Sequence, residues 1–234
     1  MKTLIPLGLV ATVIFTLVAV GPAATVADAA QGAGLVSSVL NRLEQNRRSL
    51  RSLRSGISME KYNSQLHDSD KYTGKVLYVP AAGRNANVRI EWQSPQHEVF
   101  TVSNGAYTLC RPRLNTCYTG KTAAKQGSNA NSVLQFLSMS GAQLKAKFDV
   151  QDARDETVWP NISAVHLTLV PKGAASFKYA EVWIDGSGMP VQSKVVEKND
   201  DATTVRLGDI ERNVDIPSDQ FKPAIDKGVK VIPA

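Results

Sequence analysis

The segment Val88-Arg89-Ile90-Glu91-Trp92 alternates apolar and charged residues at every step, which is the clearest indication of the fold in this sequence. Successive side chains of a β-strand point to opposite faces, so Val88, Ile90 and Trp92 share one face and the two charged residues share the other. Such alternation is typical of an antiparallel sheet with one face packed on a core. We therefore expect a sheet with one apolar face.

Similar short segments lie on both sides of this strand and are separated by turn residues. Asn104-Gly105 is a strong signal for a tight hairpin, and Asp185-Gly186-Ser187-Gly188 and Asn199-Asp200-Asp201 separate later segments. The alternation predicts about ten strands: Ser55–Tyr62, Lys75–Val79, Val88–Trp92, Glu98–Val102, Ala106–Cys110, Thr116–Thr119, Val165–Leu169, Ala180–Ile184, Pro190–Glu197 and Thr203–Leu207. Many short strands with short turns are typical of an antiparallel meander or barrel.

Two segments have helical periodicity instead. In Leu35–Arg48, apolar residues recur at three- and four-residue steps. Asn129–Phe148 lies between two blocks of strands and carries few charges among its large apolar residues, which include Leu134, Phe136, Leu137 and Met139. An apolar helical pair there must cover something, and the open face of the sheet is the candidate. The enclosed space is either a filled core or a lipid cavity, and periodicity does not separate the two.

The N-terminal residues have the layout of a secretory signal peptide. Lys2 precedes Leu4–Val20, a run of 17 residues without a charge, and Ala27-x-Ala29 supplies small residues for cleavage before Ala30. An uncleaved anchor helix is the alternative, at the short edge of what spans a bilayer. We expect a signal peptide over residues 1–29 and one domain over residues 30–234, soluble and outside the cytoplasm.

The chain carries an excess of positive charge. Its 234 residues include 27 Lys and Arg against 21 Asp and Glu, which gives a net charge of +6. An exported protein does not meet nucleic acid, so nucleic acid is excluded as the partner of this positive charge. Five arginines at and after the end of the first helix are either a solvated helix end or a contact for anionic lipid or an acidic partner: Arg42, Arg47, Arg48, Arg51 and Arg54.

Cys110 and Cys117, the only two cysteines, flank a turn-rich segment between two predicted strands. In an oxidising compartment they can close a hairpin disulfide. A redox pair is the alternative, but the spacing is not the C-x-x-C arrangement of such catalysts. We therefore expect a structural disulfide.

The sequence contains no motif of a catalytic or metal site. Its three histidines form none of the usual zinc patterns, and no nucleophile elbow or phosphate-binding glycine loop is present. His67 with Asp68 and Asp70 is interpreted as a solvated turn, and His166 as a polar residue on the outward side of its strand. We expect no enzyme, no metal and no cofactor.

The order of segments resembles one family over most of the chain, from about Leu40 to Val231. The strongest stretch runs from Val88 to Pro95 and continues through Val99–Leu109 with its Ser103-Asn104-Gly105 turn. Further segments with the same order and spacing are Leu134–Leu137, Leu167–Lys172 and Val182–Pro190, with Phe221 before Gly228-Val229. Together they resemble the outer-membrane lipoprotein carrier proteins (LolA).

This resemblance implies an α+β fold: an incomplete antiparallel β-barrel, or half-barrel, with an N-terminal helix and an inserted helical lid over a hydrophobic cavity. It implies a monomeric periplasmic carrier that takes the acyl chains of lipoproteins from the inner to the outer membrane. An inner-membrane release transporter and an outer-membrane receptor would be its partners. The family receptor carries a lipidated N-terminal cysteine, and the cysteine positions here favour the carrier.

The same resemblance implies roles for individual residues. The alternating apolar faces are expected to line the cavity: Ile57, Met59, Val88, Ile90, Trp92, Val165, Leu167, Val182 and Ile184. The expected lid residues are Leu134, Phe136, Leu137 and Met139. An arginine in the loop after the second strand holds the family's lid closed, and Arg84 aligns with it. Arg89 is the alternative, although the alternation of its strand predicts that it faces away from the cavity. Two other hypotheses stay open: a lipid- or lipoprotein-sensing regulatory module, and a structural protein with a filled core.

Overall fold

The computed structural model describes residues 24–80, 86–121, 132–223, 225 and 228–233. Its helices are α1 (Ala24–Ser49), α2 (Ser132–Ser138) and α3 (Gly141–Lys147). Its strands are β1 (Leu53–Asn63), β2 (Asp68–Val79), β3 (Asn87–Ser94), β4 (Glu98–Ser103), β5 (Ala106–Arg111), β6 (Thr116–Lys121), β7 (Phe148–Val158), β8 (Ile162–Pro171), β9 (Phe177–Asp185), β10 (Pro190–Glu197), β11 (Ala202–Arg212) and β12 (Lys230–Pro233).

The described strands form a single open sheet. Their order is β12-β6-β5-β4-β3-β2-β1-β11-β10-β9-β8-β7, which is two antiparallel meanders joined where β1 pairs with β11. Only the short terminal pair, β12 with β6, is parallel among the pairs described. The ends of the sheet do not meet. The predicted fold class, a mainly β half-barrel with a few helices, is confirmed.

The structure contains two strands that the sequence pattern did not predict. β7 carries Asp149, Asp152, Asp155 and Glu156 among its eleven residues, so its apolar alternation is weak. It is the end strand of the sheet, where charged side chains are common because they discourage pairing with other chains. β12 has only four residues. In addition, β2 begins at Asp68 rather than at Lys75, so Asp68 and Asp70 lie in a strand and not in a turn.

Strand register separates two faces of the sheet. Across β11, β1, β2 and β3, the partners Leu207, Ile57, Gly74 and Trp92 share one face. On β8 and β9 the same face carries Leu167 and Val182, which belong to one buried cluster with residues of α1. We call this the covered face, and its opposite the outer face. The helices therefore close one side of the half-barrel.

Helix α1 packs on the covered face as its periodicity predicted. Val39, Leu40 and Leu43 are buried, and Leu35 and Val36 pack beside them. The helix extends well before the predicted Leu35. Helix α3 starts with a capping box, in which Ser140 and Gln143 satisfy each other's backbone N–H groups. Among the described residues, no helix is both long and apolar enough to cross a membrane.

The turn between β9 and β10 fixes α1 on the sheet through a close backbone contact. Gly188 has φ +82°, and a Cβ on it would lie 2.1 Å from the carbonyl oxygen of Arg42 in α1. We predict that Gly188→Ala lowers the free energy of unfolding by about 1–3 kcal/mol, because the helix must move away. Urea denaturation checks this. Gly186→Ala is the matched control, since no atom lies within 4 Å of a Cβ there, and an equal loss in both variants would contradict the prediction.

Candidate functional site

The covered face carries two apolar clusters, and the predicted cavity residues divide between them. The first cluster contains Ile57, Met59, Val88, Ile90 and Trp92, on β1 and β3. The second contains Val165, Leu167, Val182 and Ile184, on β8 and β9. The structure thus brings the predicted residues to one face of the sheet but not into one continuous set.

The second cluster is filled by helices. Val39, Leu40 and Leu43 of α1 and Leu144 of α3 pack against β8 and β9, and all are at most 4% exposed. Leu167 and Val182 beneath them have no exposed surface. This half of the covered face is a packed core.

Helix α2 and the residue after it join the two clusters. Leu134 and Leu137 belong to the first cluster, whereas Phe136 and Met139 belong to the second. The helix lies against β10 and β11, near the centre of the sheet. All four expected lid residues are therefore buried side chains of one short segment that touches both halves of the covered face.

An open groove of about 500 Å³ extends over the first half of the covered face. Met59, Ile90 and Trp92, which are three of the predicted cavity residues, line it. Sequence reasoning missed the rest of its apolar wall, which is formed by Tyr72, Phe100, Tyr107, Leu109 and Leu114. The pairing register of the strands would have identified these residues. Ile90 pairs with Phe100, and Phe100 pairs with Leu109, so these side chains share one face of the sheet.

Aromatic rings shape the wall of the groove. The Tyr72 and Trp92 rings meet edge to face with 5.9 Å between centroids. The Phe100 and Tyr107 rings are stacked at 6.2 Å. Sites for small apolar ligands are typically clefts of roughly 300–1,000 Å³ lined by such residues, with a few polar groups. The groove is therefore a suitable site for an apolar ligand.

Charged groups are a minority among the described residues that line the groove. Lys61 Nζ lies 5.2 Å from the centre of the Tyr72 ring, and Arg111 Nε donates to Glu98 Oε1 at 2.8 Å. Burial raises the pKa of Tyr72, and the nearby carboxylates of Asp70 and Glu98 raise it further. The phenol is thus held in its neutral form.

The predicted disulfide is confirmed and lies beside the groove. Cys110 and Cys117 are directly paired residues of β5 and β6 and are bonded to each other. Their neighbours in β5, Leu109 and Arg111, face the groove, and the turn after β5 contributes Leu114. The bond therefore ties together the hairpin that forms one side of the groove.

His166 lies on the outward side of its strand, as predicted, but its side chain is buried there. Its side chain is 1% exposed and stacks on Trp183 with 4.5 Å between ring centroids. Its Nδ1 lies 3.7 Å from Glu156 Oε2, and its Nε2 lies 3.6 Å from Glu181 Oε1. Burial lowers the pKa of His166, the Arg154 guanidinium lowers it further, and carboxylates including those of Glu181 and Glu156 oppose the shift.

This histidine should make stability depend on pH. Because the pKa of His166 is lower in the folded protein than in the unfolded chain, the unfolded chain takes up the proton first as the pH falls. We predict that the free energy of unfolding decreases as the pH drops from 7.5 through 6.5, the ordinary pKa of histidine, to 5. Urea midpoints of the wild type and of His166→Gln measure this. The decrease should be smaller in the variant, and an equal decrease in both would contradict the prediction.

Neither Arg84 nor His67 belongs to the described lining of the groove. Arg84 lies outside the described residues. His67 lies in the turn between β1 and β2, where its Nδ1 is 3.1 Å from the Tyr62 hydroxyl. Within the part of the chain that the structure describes, no three His, Cys, Asp or Glu side chains come together as a metal site.

The arginine cluster at the end of α1 is partly neutralised. Arg47 and Arg48 both bond to Glu44, and these bonds hold the pKa of that carboxyl at about 2. Arg54 pairs with Glu211 on the neighbouring strand at 3.1 Å. These three arginines thus have carboxylate partners within the protein.

Comparison with known proteins shows the family. The family model described as outer membrane lipoprotein carrier protein LolA matches residues 68–224. No curated protein sequence matches the chain.

Solved structures share the fold at low identity. The chain is similar to MucB, with 15% identity and a TM-score of 0.54 over 82% of this chain and 64% of MucB, so it spans about two thirds of that protein. It is also similar to an uncharacterised conserved protein from Thermus thermophilus, with 14% identity and a TM-score of 0.53 over 85% of this chain and 98% of that one. The half-barrel and its helices have the fold expected for the family whose model matches residues 68–224. The chain belongs to the LolA family.

Proposed function

We propose that this protein is a periplasmic carrier that binds the acyl chains of lipoproteins and moves them from the inner to the outer membrane. The observation that carries this proposal is the apolar groove of about 500 Å³ on the covered face. The match to the lipoprotein carrier family supports it. The role is one of transport and needs neither a catalytic group nor a cofactor.

The chemistry of the cargo explains the need for a groove. Each CH₂ group of an acyl chain that is exposed to water costs about 0.8 kcal/mol, so a lipidated protein does not leave a membrane unaided. A wall of Trp92, Phe100, Tyr107 and Leu109 replaces the bilayer for the chain. The groove is open, so the protein part of the cargo would stay in water.

We propose that α2 acts as the lid. Its residues Leu134 and Leu137 pack in the first cluster, with Ile57 and Val88. Movement of α2 away from the sheet would add Ile57 and Val88 to the binding surface. Val165, Leu167, Val182 and Ile184 lie under α1 and α3 as well, so they would join only if those helices also moved. Arg84 is the proposed latch of the lid.

The carrier function implies two membrane partners. An inner-membrane transporter would load the carrier, and an outer-membrane receptor would unload it. The segment of residues 1–29 would direct export and then be removed. A monomer suffices for this cycle, because the proposed groove and lid belong to one chain.

A release assay tests the function. The mature protein is incubated with spheroplasts whose inner membrane has accumulated lipoproteins, and the soluble fraction is analysed for a one-to-one complex. We expect lipoprotein in that complex. Arg84→Leu should release much less, whereas Arg89→Leu, on the outer face and bonded to Glu91, should release as much as the wild type. A soluble fraction without lipoprotein would overturn the carrier proposal.

The alternative function is a lipid- or lipoprotein-sensing regulatory module. The fold that the chain shares with MucB is compatible with this alternative. Purification of the protein with a bound lipid, together with failure in the release assay, would select this alternative.

A further inference from the structure

Among the described residues that line the groove, one cation has no carboxylate partner. Three of these residues are charged: Lys61, Glu98 and Arg111. Arg111 is paired with Glu98 at 2.8 Å, and its guanidinium also lies 5.7 Å from the centre of the Tyr118 ring. Within the described part of the chain, no carboxylate oxygen lies within 4.0 Å of Lys61 Nζ. The charge of Lys61 is therefore available to a ligand.

Lys61 does not form an ion pair with Asp70, its partner residue in the sheet. Asp70 stands directly opposite Lys61 in the β1–β2 ladder. The ammonium group instead lies over the Tyr72 ring, at 5.2 Å from its centre. A cation held over an aromatic face keeps its other directions free for a further partner. In this position it faces the groove, since Tyr72 and Lys61 both line it.

The position of Lys61 along the strand sets the direction of a bound ligand. Lys61 follows Met59 by two residues in β1, so both face the groove, and Lys61 lies closer to the turn that begins after Asn63. Met59 is 5% exposed and belongs to the apolar cluster, whereas Lys61 is exposed. A chain lying along Met59 and Trp92 would therefore have its polar end beside Lys61.

We propose that the groove also takes free acyl chains that carry an anionic group at the head end, and that Lys61 binds this group. This inference goes beyond the proposed function, because the acyl chains of a lipoprotein are joined through ester or amide bonds and carry no such group. The group is a carboxylate or a phosphate oxygen, both of which accept hydrogen bonds from an ammonium. Lysine acts as a point charge on a flexible stem and does not require one planar geometry. The acyl chain supplies the main part of the affinity, and the ammonium group supplies the selectivity.

Binding of four C16 probes tests the proposal: palmitate, hexadecyl phosphate, hexadecanol and hexadecyltrimethylammonium. Isothermal titration calorimetry of the whole mature protein gives the Kd of each at a concentration below micelle formation. We expect the two anionic probes to bind about five- to tenfold more tightly than hexadecanol, and the cationic probe to bind most weakly. Inorganic phosphate should not compete, because it has no chain.

Two lysine variants locate the effect. Lys61→Met should remove the preference for anionic probes while leaving hexadecanol binding unchanged. Lys71→Met is the matched control, because Lys71 is an exposed residue of the neighbouring strand on the opposite face, and it should keep the preference. Equal binding of anionic and neutral probes by the wild type, or an unchanged preference in Lys61→Met, would overturn the proposal and leave the acyl-binding groove intact. Failure of all four probes to bind would instead contradict the proposed function.

Discussion

Phe100→Glu should abolish acyl binding while leaving a folded protein. Phe100 is half-buried and forms part of the groove wall, where it pairs with Ile90 and Leu109. A carboxylate at this position is solvated in the empty groove but would lose its water when an acyl chain lies against it. Burying an unpaired carboxylate costs several kcal/mol, so the affinity should fall by about a hundredfold or more.

Val99→Glu is the matched control, because Val99 is the half-buried preceding residue of β4 and faces the outer side. Calorimetric titration with palmitate measures both variants, and circular dichroism verifies that both are folded. Val99→Glu should bind like the wild type. If the wild type and the folded Phe100→Glu variant had equal affinities for palmitate, the acyl chain would have to bind elsewhere.

Leu167→Ala should lower the free energy of unfolding by about 2–5 kcal/mol. Leu167 has no exposed surface, and it lies in the cluster that α1, α2 and α3 fill. Removal of three carbon atoms leaves a cavity that the packed helices close only in part. Palmitate binding by the folded variant should be unchanged, because the groove lies over the other half of the covered face.

Urea denaturation measures this loss, with Leu66→Ala as the control. Leu66 is 75% exposed, so its truncation should change the free energy of unfolding by less than about 0.5 kcal/mol. A loss below about 1 kcal/mol for Leu167→Ala would mean that this half of the face is not tightly packed. The predicted cavity residues on β8 and β9 would then be candidates for an open surface.

The sequence was sufficient to predict the elements with strong periodicity. Val88–Trp92 alternates fully and is a central strand, and the α1 residues Val39, Leu40 and Leu43 are buried as expected. The Cys110–Cys117 disulfide followed from spacing and compartment. These features depend on local patterns and on composition, which a single sequence contains.

The remaining features depend on contacts between distant segments. β7 was missed because an end strand of a sheet needs little apolar alternation. His166 was placed on the correct side of its strand, but the pattern does not show that Trp183 stacks on it there and helps to bury it. Likewise, Ile90 and Leu167 alternate equally well, yet one lines an open groove and the other lies under helices. The difference between Ile90 and Leu167 depends only on where the helices lie on the sheet.

Photo-crosslinking shows directly whether a bound acyl chain lies in the groove. A synthetic diacylated lipopeptide with a diazirine at the end of one acyl chain is bound to the mature protein, irradiated, and mapped by mass spectrometry. We predict crosslinks to the groove wall, at Met59, Ile90, Trp92, Phe100 and Leu109. Crosslinks confined to the outer face, such as Trp183 and Gln192, would contradict acyl binding in the groove, as would a folded protein that gives no specific crosslink.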